Sequence, residues 1–182
     1  MTATKNICVF CASSMGIDPI HAATASVLGA AIAHRGWGLI YGGAEVGLMG
    51  TLANAAIAGG APVVGVIPRA LFTGEIAHRG LTELVEVATM HERKAEMARR
   101  ADAFLILPGG LGTLDETCEI LTWALIGIHS KPVVFINTAG YWNPFLAALD
   151  AAVSAGFLRD THRALAQVVP DPESACSLLE KS

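Results

Sequence analysis

One stretch of the chain combines a glycine loop with a carboxylate. Residues 103–107 form an apolar run that predicts a buried strand. The run is followed by the loop PGGLGT at residues 108–113 and by a helical pattern that contains Glu116. A strand, a glycine loop and a helix turn backbone N–H groups and a helix N-terminus toward an anion. An anion site with a carboxylate beside it predicts chemistry on a nucleotide or a sugar phosphate.

Glu116 is the acidic residue with the most direct chemical interpretation. The pattern predicts a helix over about residues 113–126, with Glu116 in its first turn and Glu119 three residues later on nearly the same face. A carboxylate here can stabilise positive charge on a sugar ring or orient a water toward an anomeric carbon. The helix dipole also favours acids in a first turn, so a purely structural role is equally supported. Thr113 offers a hydroxyl and an N–H at the predicted helix start, where it also suits an N-cap.

A second glycine loop follows another predicted strand, at residues 37–41. Its sequence is GGAEVGLMG over residues 42–50, and Ser13 follows the first predicted strand in a similar position. Neither loop has the Gly-Lys-Ser/Thr of a P-loop, and neither fits the dinucleotide fingerprint. Two glycine loops at one sheet edge favour a bound phosphate or nucleotide, with Ser13 and Gly43 near it.

Two adjacent cations, Arg93 and Lys94, lie near the start of a helix predicted over about residues 91–100. Cations oppose the helix dipole there, and such a conflict is expected where a bound anion compensates it. The planar fork of Arg93 suits a phosphate or a base. Arg99 and Arg100 instead suit ion pairs with Glu96 inside the helix.

Apolar runs alternate with helical patterns along the whole chain. The runs lie at residues 5–11, 37–41, 62–67, 84–89, 102–107, 131–136 and 164–169. The helices lie at about 18–34, up to 58, 91–100, 113–126, 141–155 and 172–180, and residues 68–82 form an irregular segment that contains Glu75 and His78. This alternation predicts an α/β fold: one Rossmann-like, doubly wound domain over residues 1–182, with a mostly parallel sheet and helices on both faces. The ligand site of such a sheet lies at the carboxyl ends of the strands.

Composition excludes several classes of protein. The net charge is −4 and no basic stretch is interleaved with aromatic residues, so nucleic-acid polymers are not expected partners. No apolar run approaches a membrane span, and residues 1–5 lead directly into the first strand, so we expect a cytoplasmic protein without a signal peptide. The chain is 53% hydrophobic and 15% charged, which suits a subunit interface or simply an alanine-rich α/β protein.

Cys8 and Cys11 form a C-x-x-C pair, which is a redox or metal motif in some proteins. No second cysteine pair or nearby histidine completes a zinc site, and the six histidines have no metal-ligand spacing. We therefore interpret both cysteines as small buried hydrophobes and predict no metal and no other cofactor.

Two motifs together resemble a known family: the loop and carboxylate at residues 108–116 (PGGLGTLDE) and MHERK at residues 90–94. The chain resembles the Lonely Guy family of cytokinin riboside 5′-monophosphate phosphoribohydrolases, whose members are often labelled lysine decarboxylase-like. The resemblance covers nearly the whole chain. It implies a Rossmann-like fold and a homodimer or larger assembly, with the helix after the catalytic loop near the interface. Neither Lys94 nor Lys131 suits a pyridoxal-phosphate lysine, so decarboxylation is not expected.

The resemblance also assigns site residues. It implies that Arg93 and Glu116 carry catalysis. The substrate-binding set that it implies, completed by Ser13 and Gly43 from the loops, is Ser13, Gly43, Glu75, Arg93, Lys94, Gly110, Leu111, Gly112, Thr113, Leu114, Asp115, Glu116 and Thr122. Two positions depart from the family pattern, since Ala12 and Ala44 replace glycines, and each added methyl is expected to tighten the phosphate end of the pocket.

The resemblance implies hydrolysis of the N-glycosidic bond of a nucleoside 5′-monophosphate with an N6-modified adenine, giving free base and ribose 5-phosphate. Two alternatives stay open at this point. One is a general nucleosidase of AMP or another nucleotide. The other is a carrier on the same fold that binds a nucleotide or a pterin phosphate without turnover.

Overall fold

A seven-stranded parallel sheet organises the chain in the computed structural model, which describes residues 3–71 and 77–181. The strands are β1 (Asn6–Phe10), β2 (Gly38–Tyr41), β3 (Val63–Pro68), β4 (Glu83–Val87), β5 (Ala103–Ile106), β6 (Val133–Ile136) and β7 (Ala166–Val169). The helices are α1 (Pro19–His34), α2 (Gly47–Ala58), α3 (Met90–Arg100), α4 (Leu111–Leu125), α5 (Asn143–Ser154), α6 (Asp160–Arg163) and α7 (Pro172–Glu180).

The strand order is β4-β3-β2-β1-β5-β6-β7, and all six pairings are parallel. The chain moves outward from β1 to β4, returns to lay β5 beside β1, and then moves outward on the other side. The order therefore reverses between β1 and β5, which is where a doubly wound sheet leaves a crevice for a ligand. The predicted α/β fold class is confirmed.

Alternation along the strands divides the core into two layers. Ile7 and Val9 lie in the apolar cluster with α1, α2 and α7, whereas Cys8 and Phe10 lie in the cluster with α3, α4 and α5. Both faces are covered because successive side chains point to opposite sides of a strand. The fold is a three-layer α/β/α sandwich over the described residues.

Some helices begin one or two residues earlier than the approximate predicted starts, and one short helix was missed. Helix α4 begins at Leu111 rather than at residue 113, because Gly112 is tolerated inside the first turn. Helix α3 begins at Met90, where Thr89 accepts a hydrogen bond from the Glu92 amide and the Glu92 carboxylate accepts one from Ala88. The short helix α6 was not predicted, since four residues carry no readable periodicity. Within the irregular segment, a 3₁₀ turn spans Arg69–Leu71 and Ala77 bridges to Ala44; Glu75 lies outside the described residues.

Candidate active site

A cleft of about 480 Å³ opens at the carboxyl ends of β1, β2 and β5, which is the predicted edge of the sheet. A volume of this size suits a small-molecule ligand. Its lining comes from the loops after β1, β2 and β5, from Ile67 near the end of β3, and from the N-terminal turns of α2, α3 and α4. The lining residues are Cys11, Ala12, Ser13, Ser14, Gly42, Ala44, Val46, Met49, Ile67, Met90, Arg93, Gly110, Leu111, Gly112, Thr113 and Glu116.

The start of α4 forms one wall of the cleft. Leu111, Gly112 and Thr113 supply the first three amides of this helix, and no hydrogen bond from them is found over residues 3–71 and 77–181. The amide of Leu114 is the first to bond within the helix, to the Gly110 carbonyl at 3.0 Å. Three open N–H groups at the positive end of a helix dipole form an anion site.

The glycines of this loop serve two different purposes. A side chain on Gly109 would collide with Thr113, because its Cβ would lie 2.0 Å from the threonine Oγ1. A Cβ on Gly110 or on Gly112 would meet no described protein atom within 4 Å. Packing within the protein therefore explains Gly109, whereas Gly110 and Gly112 leave room on the side that faces the cleft.

Backbone amides at the end of the second glycine loop donate hydrogen bonds within the protein. The amide of Leu48 donates to Ser14 (3.2 Å) and that of Met49 donates to Ala12 (3.2 Å), so the start of α2 is tied to the loop after β1. Gly43 does not line the cleft; it takes φ +77° and lies against β3. Two of the first three amides of α2 are therefore used within the protein, whereas the first three amides of α4 are open.

The two alanines that depart from the family pattern both line the cleft. Ala44 adopts an ordinary backbone conformation, because the left-handed residue of this turn is Gly43. The extra methyl groups of Ala12 and Ala44 narrow the cleft without straining the backbone.

Arg93 reaches across the ends of the central strands from α3. Only 7% of Arg93 is exposed; its Nε donates to the Val66 carbonyl (3.1 Å), and its Nη1 lies 3.6 Å from Oε1 of Glu116. The Sδ of Met90 lies 3.9 Å from the same Nη1. A buried guanidinium held in this way presents a fixed positive charge to the cleft.

Glu116 lies in the second turn of α4, and the prediction that it lies in the first turn was wrong. The helix dipole therefore does not explain the carboxylate, since its effect is confined to the first turn. Only 4% of Glu116 is exposed. Burial raises its pKa to about 7, and the positive charge of Arg93 opposes that rise. A carboxyl with a pKa near neutrality is suited to proton transfer or to stabilising a transient cation.

Lys94 is turned away from the cleft, although it is adjacent to Arg93. Its Nζ donates to Oδ2 of Asp115 (3.0 Å) and forms an ion pair with Oε2 of Glu119 (3.1 Å). Burial disfavours the charge of Lys94, but the hydrogen bonds of Asp115 and Glu119 raise its pKa overall. Lys94, Asp115 and Glu119 form an ion triad beside Glu116.

Large apolar side chains line the mouth of the cleft while still being exposed. Val46 is 40% exposed, Met90 39% and Leu111 86%. Exposed apolar groups at the rim of a concave site mark a place for apolar surface of a ligand or partner. Sequence reasoning named Leu111 but missed Val46 and Met90. The available signal was that Met90 is the first residue of the motif that contains Arg93.

The structure brings together only part of the predicted site. Ser13, Arg93, Glu116 and residues 110–113 line the cleft. Leu114 packs against the apolar cluster of α3–α5, and Asp115 pairs with Lys94. Thr122 lies one and a half turns farther along α4, where it lines an apolar groove and donates to the Cys118 carbonyl (2.7 Å).

The two cysteines of the C-x-x-C pair are part of the apolar core. Cys8 and Cys11 are buried, and burial raises the pKa of both thiols, which therefore stay protonated. No group of three or more His, Cys, Asp or Glu side chains in the described residues has the geometry of a metal site.

The predicted pairing of Glu96 with Arg99 and Arg100 within α3 is confirmed.

The fold and cleft define a Rossmann-like α/β protein with open amides at a helix start and a buried carboxylate–guanidinium pair. The family model described as "Possible lysine decarboxylase" matches residues 49–179. Cytokinin riboside 5′-monophosphate phosphoribohydrolase LOG7 of Arabidopsis thaliana is 46% identical over 177 residues, covering 97% of this chain and 82% of the relative. The enzyme of the same activity named LOG in Oryza sativa subsp. japonica is 44% identical over 177 residues, covering 97% of this chain and 73% of the relative. The chain belongs to the family of cytokinin riboside 5′-monophosphate phosphoribohydrolases, as its motifs indicated.

A solved structure shares the fold at much lower identity. The molybdenum cofactor binding protein from the phototrophic bacterium Rippkaea orientalis aligns with a TM-score of 0.74 and 20% identity, covering 100% of this chain and 98% of that one. This likeness concerns the fold alone. Over the described ranges, no helix is both long and apolar enough to cross a membrane.

Proposed function

We propose that the chain hydrolyses the N-glycosidic bond of a purine nucleoside 5′-monophosphate with an N6-modified, cytokinin-type adenine. The products are the free base and ribose 5-phosphate. The observation that carries the proposal is the buried pair of Arg93 and Glu116, 3.6 Å apart, in the same cleft as the open amides of α4. The names of the relatives, which match over almost the whole chain, support the same reaction.

The phosphate is assigned to the start of α4. The amides of Leu111, Gly112 and Thr113 are open, and Gly110 and Gly112 leave space for close approach of an anion. Ser13 lines the same cleft from the loop after β1. These groups bind the 5′-phosphate and place the ribose next to Glu116.

Glu116 and Arg93 are assigned to the bond that breaks. As the bond between C1′ and the base nitrogen lengthens, positive charge develops on the ribose, and the Glu116 carboxylate stabilises it and orients a water. The water oxygen bonds to C1′, the electron pair of the broken bond leaves with the base, and a water proton completes the base. Arg93 anchors the nucleotide and donates hydrogen bonds to the departing base, because a guanidinium does not give up its proton.

The exposed apolar residues at the mouth of the cleft favour a substrate with an N6 substituent. Val46 and Met90 offer exposed apolar surface at the edge of the cleft, which unmodified AMP would leave in water. An isopentenyl group would bury part of that surface, at about 25 cal/mol for each Å². Comparing the rates on isopentenyl-AMP and AMP tests this point, because equal rates would favour a general nucleotide nucleosidase.

The catalytic assignment is tested by Glu116→Gln with chromatographic detection of base and ribose 5-phosphate. We expect kcat to fall by about 10²- to 10³-fold while nucleotide binding is retained. The matched control is Asp150→Asn, which makes the same chemical change at an exposed carboxylate that pairs with Arg163. Full activity of Glu116→Gln would exclude the assignment. Nucleotide binding by the wild type without base release over hours would favour a carrier instead.

We further propose a homodimer, one folded domain and a cytoplasmic location. Exposed Leu125 and Ile126 continue the apolar groove of α4 that includes Thr122 and Phe145, and a second copy is the proposed occupant. All four cysteines, which lie in the described ranges, are unbridged, as expected for a reducing compartment. One sheet joins elements from β1 to β7, which supports a single domain.

A further inference from the structure

Two acidic residues flank Glu116 on α4. Asp115 precedes it, and Glu119 lies three residues later on nearly the same face. The Nζ of Lys94 lies 3.0 Å from Oδ2 of Asp115 and 3.1 Å from Oε2 of Glu119. A single cation of α3 is therefore shared by the two carboxylates on either side of the proposed catalytic carboxylate, Glu116.

The burial of Lys94 argues against a direct role in holding phosphate. Only 6% of the residue is exposed, and it does not line the cleft. A substrate phosphate would have to draw the ammonium away from two carboxylates, at least one of which would then lose its counter-ion in a partly buried place. The pair of Lys94 with Glu119, whose side chains are 7% and 23% exposed, is the more buried of the two, and separating it is unfavourable.

We infer that Lys94 is a positioning residue, which neutralises Asp115 and Glu119 so that Glu116 can ionise beside Arg93. The inference rests on the proposed function, in which ionised Glu116 stabilises positive charge on the ribose. It gives Lys94 a role different from the substrate contact that the family resemblance implies.

The charges that face Glu116 come from three elements. Helix α3 contributes Arg93 and Lys94, α4 contributes Asp115 and Glu119, and Cys8 in β1 and Cys11 just after it contribute two thiols. Burial raises the pKa of both thiols, so they add no charge near neutral pH. Without Lys94, two anions would oppose one remaining cation, Arg93, and Glu116 would stay protonated to higher pH.

The test is the dependence of kcat/KM on pH for the whole protein acting on isopentenyl-AMP. Lys94→Met should move the acidic limb of the profile upward by about one pH unit, which is about a tenfold loss of rate on that limb. The KM measured at pH 9 should stay within about twofold of the wild type, since no substrate contact is lost. Lys94→Arg should restore the position of the limb, because it keeps the positive charge.

Glu119→Gln should shift the acidic limb in the opposite direction, and it provides a second test if Lys94→Met does not fold. Removing one of the two anions while Lys94 is retained should move the limb to lower pH. Arg99→Met is the matched control, because it removes an exposed cation of the same helix that pairs with Glu96, and it should leave the limb in place. A limb that does not move in Lys94→Met and Glu119→Gln overturns the inference, as does a KM that rises at every pH in Lys94→Met.

A direct titration separates this inference from the proposed function. The carboxyl carbon of Glu116 can be followed by NMR in glutamate-labelled protein without substrate and assigned by comparison with Glu116→Gln. Its midpoint should move upward in Lys94→Met and downward in Glu119→Gln, whether or not the wild type releases ribose 5-phosphate. An unchanged midpoint overturns the role of Lys94, and a wild type without base release overturns the function alone.

Discussion

The guanidinium of Arg93 occupies the space that a side chain on Gly42 would fill. A Cβ on Gly42 would lie 2.0 Å from Nη2 of Arg93 and 2.9 Å from Sδ of Met49. The missing side chain at the end of β2, the Val66 carbonyl and the Glu116 carboxylate together fix the guanidinium. This relationship explains a glycine that lies in the cleft but is not required by a positive φ.

Gly42→Ala is therefore expected to displace Arg93 and to slow the reaction by about 10- to 100-fold, because misplacement of a catalytic group by about 1 Å can cost 10²-fold. The measurement is steady-state release of ribose 5-phosphate, with circular dichroism to confirm the fold. Gly36→Ala is a suitable comparison for effects on folding, since Gly36 lies far from the cleft lining and takes φ +66°. Unchanged kcat/KM in Gly42→Ala would show that the position of Arg93 is unimportant.

Gly112→Ala should weaken substrate binding and leave the chemical step nearly unchanged. Alanine is favoured over glycine inside a helix by about 1 kcal/mol, and a Cβ here meets no described atom, so thermal stability should rise or stay level. The methyl group would nevertheless stand where the phosphate is assigned. We expect KM to rise by about tenfold with a much smaller change in kcat. A variant that is more stable and has an unaltered KM would place the phosphate elsewhere.

The rate should depend on the ionisation of Glu116. Burial raises the pKa of this carboxyl to about 7, against the opposing charge of Arg93. Because the proposed mechanism needs the carboxylate, kcat/KM should be low at pH 5.5 and should increase through about pH 7. A profile measured with a substrate whose phosphate is ionised throughout, or corrected for that ionisation, checks this point. A rate that falls as pH rises through 7 would assign Glu116 as a general acid instead.

The same shift predicts how stability depends on pH. The folded protein holds the Glu116 proton more tightly than the unfolded chain, whose carboxyl has the ordinary pKa of 4.5. The folded protein therefore has the full stability associated with a protonated Glu116 below about pH 4.5, and it loses that stability as pH rises through 7. Glu116→Gln keeps a neutral side chain at every pH, so at pH 8.5 and without substrate it should be more stable than the wild type by about 3 kcal/mol. Denaturant unfolding at pH 5 and pH 8.5 measures the difference, which should be smaller at pH 5.

The homodimer can be tested with added charge on α4. Ile126 is 60% exposed at the end of this helix, and Ile126→Glu should convert the protein to a monomer in analytical ultracentrifugation, because an unpaired charge is costly in a buried interface. Val27→Glu adds the same charge at a position of similar exposure on α1, in the opposite layer, and should leave the assembly unchanged. A wild type that sediments as a monomer would contradict the proposed dimer.

Much of the fold was determined by local sequence. Buried strands read as unbroken apolar runs, such as residues 103–107, and their alternation with helical patterns predicted the parallel sheet and the edge at which the cleft lies. The motifs at residues 90–94 and 108–116 indicated the family. The predicted starts of the helices were less accurate. Local sequence gives a weak signal where a glycine stands in the first turn, as Gly112 does in α4, and where the cap consists of a few side-chain contacts, as at Thr89 before α3.

Only the tertiary structure decided which polar groups meet. Arg93 follows β4 at the sheet edge, whereas Glu116 follows β5 at the centre, and the strand order together with the length of the arginine side chain brings them to 3.6 Å. The same packing turned Lys94 toward Asp115 and Glu119, and left Thr122 on the far side of α4. Adjacent helical residues point about 100° apart, so neighbours in a motif need not share a site. Sequence therefore determined the elements and the chemical inventory, and the side-chain contacts between α3 and α4 decided which side chains reach the cleft.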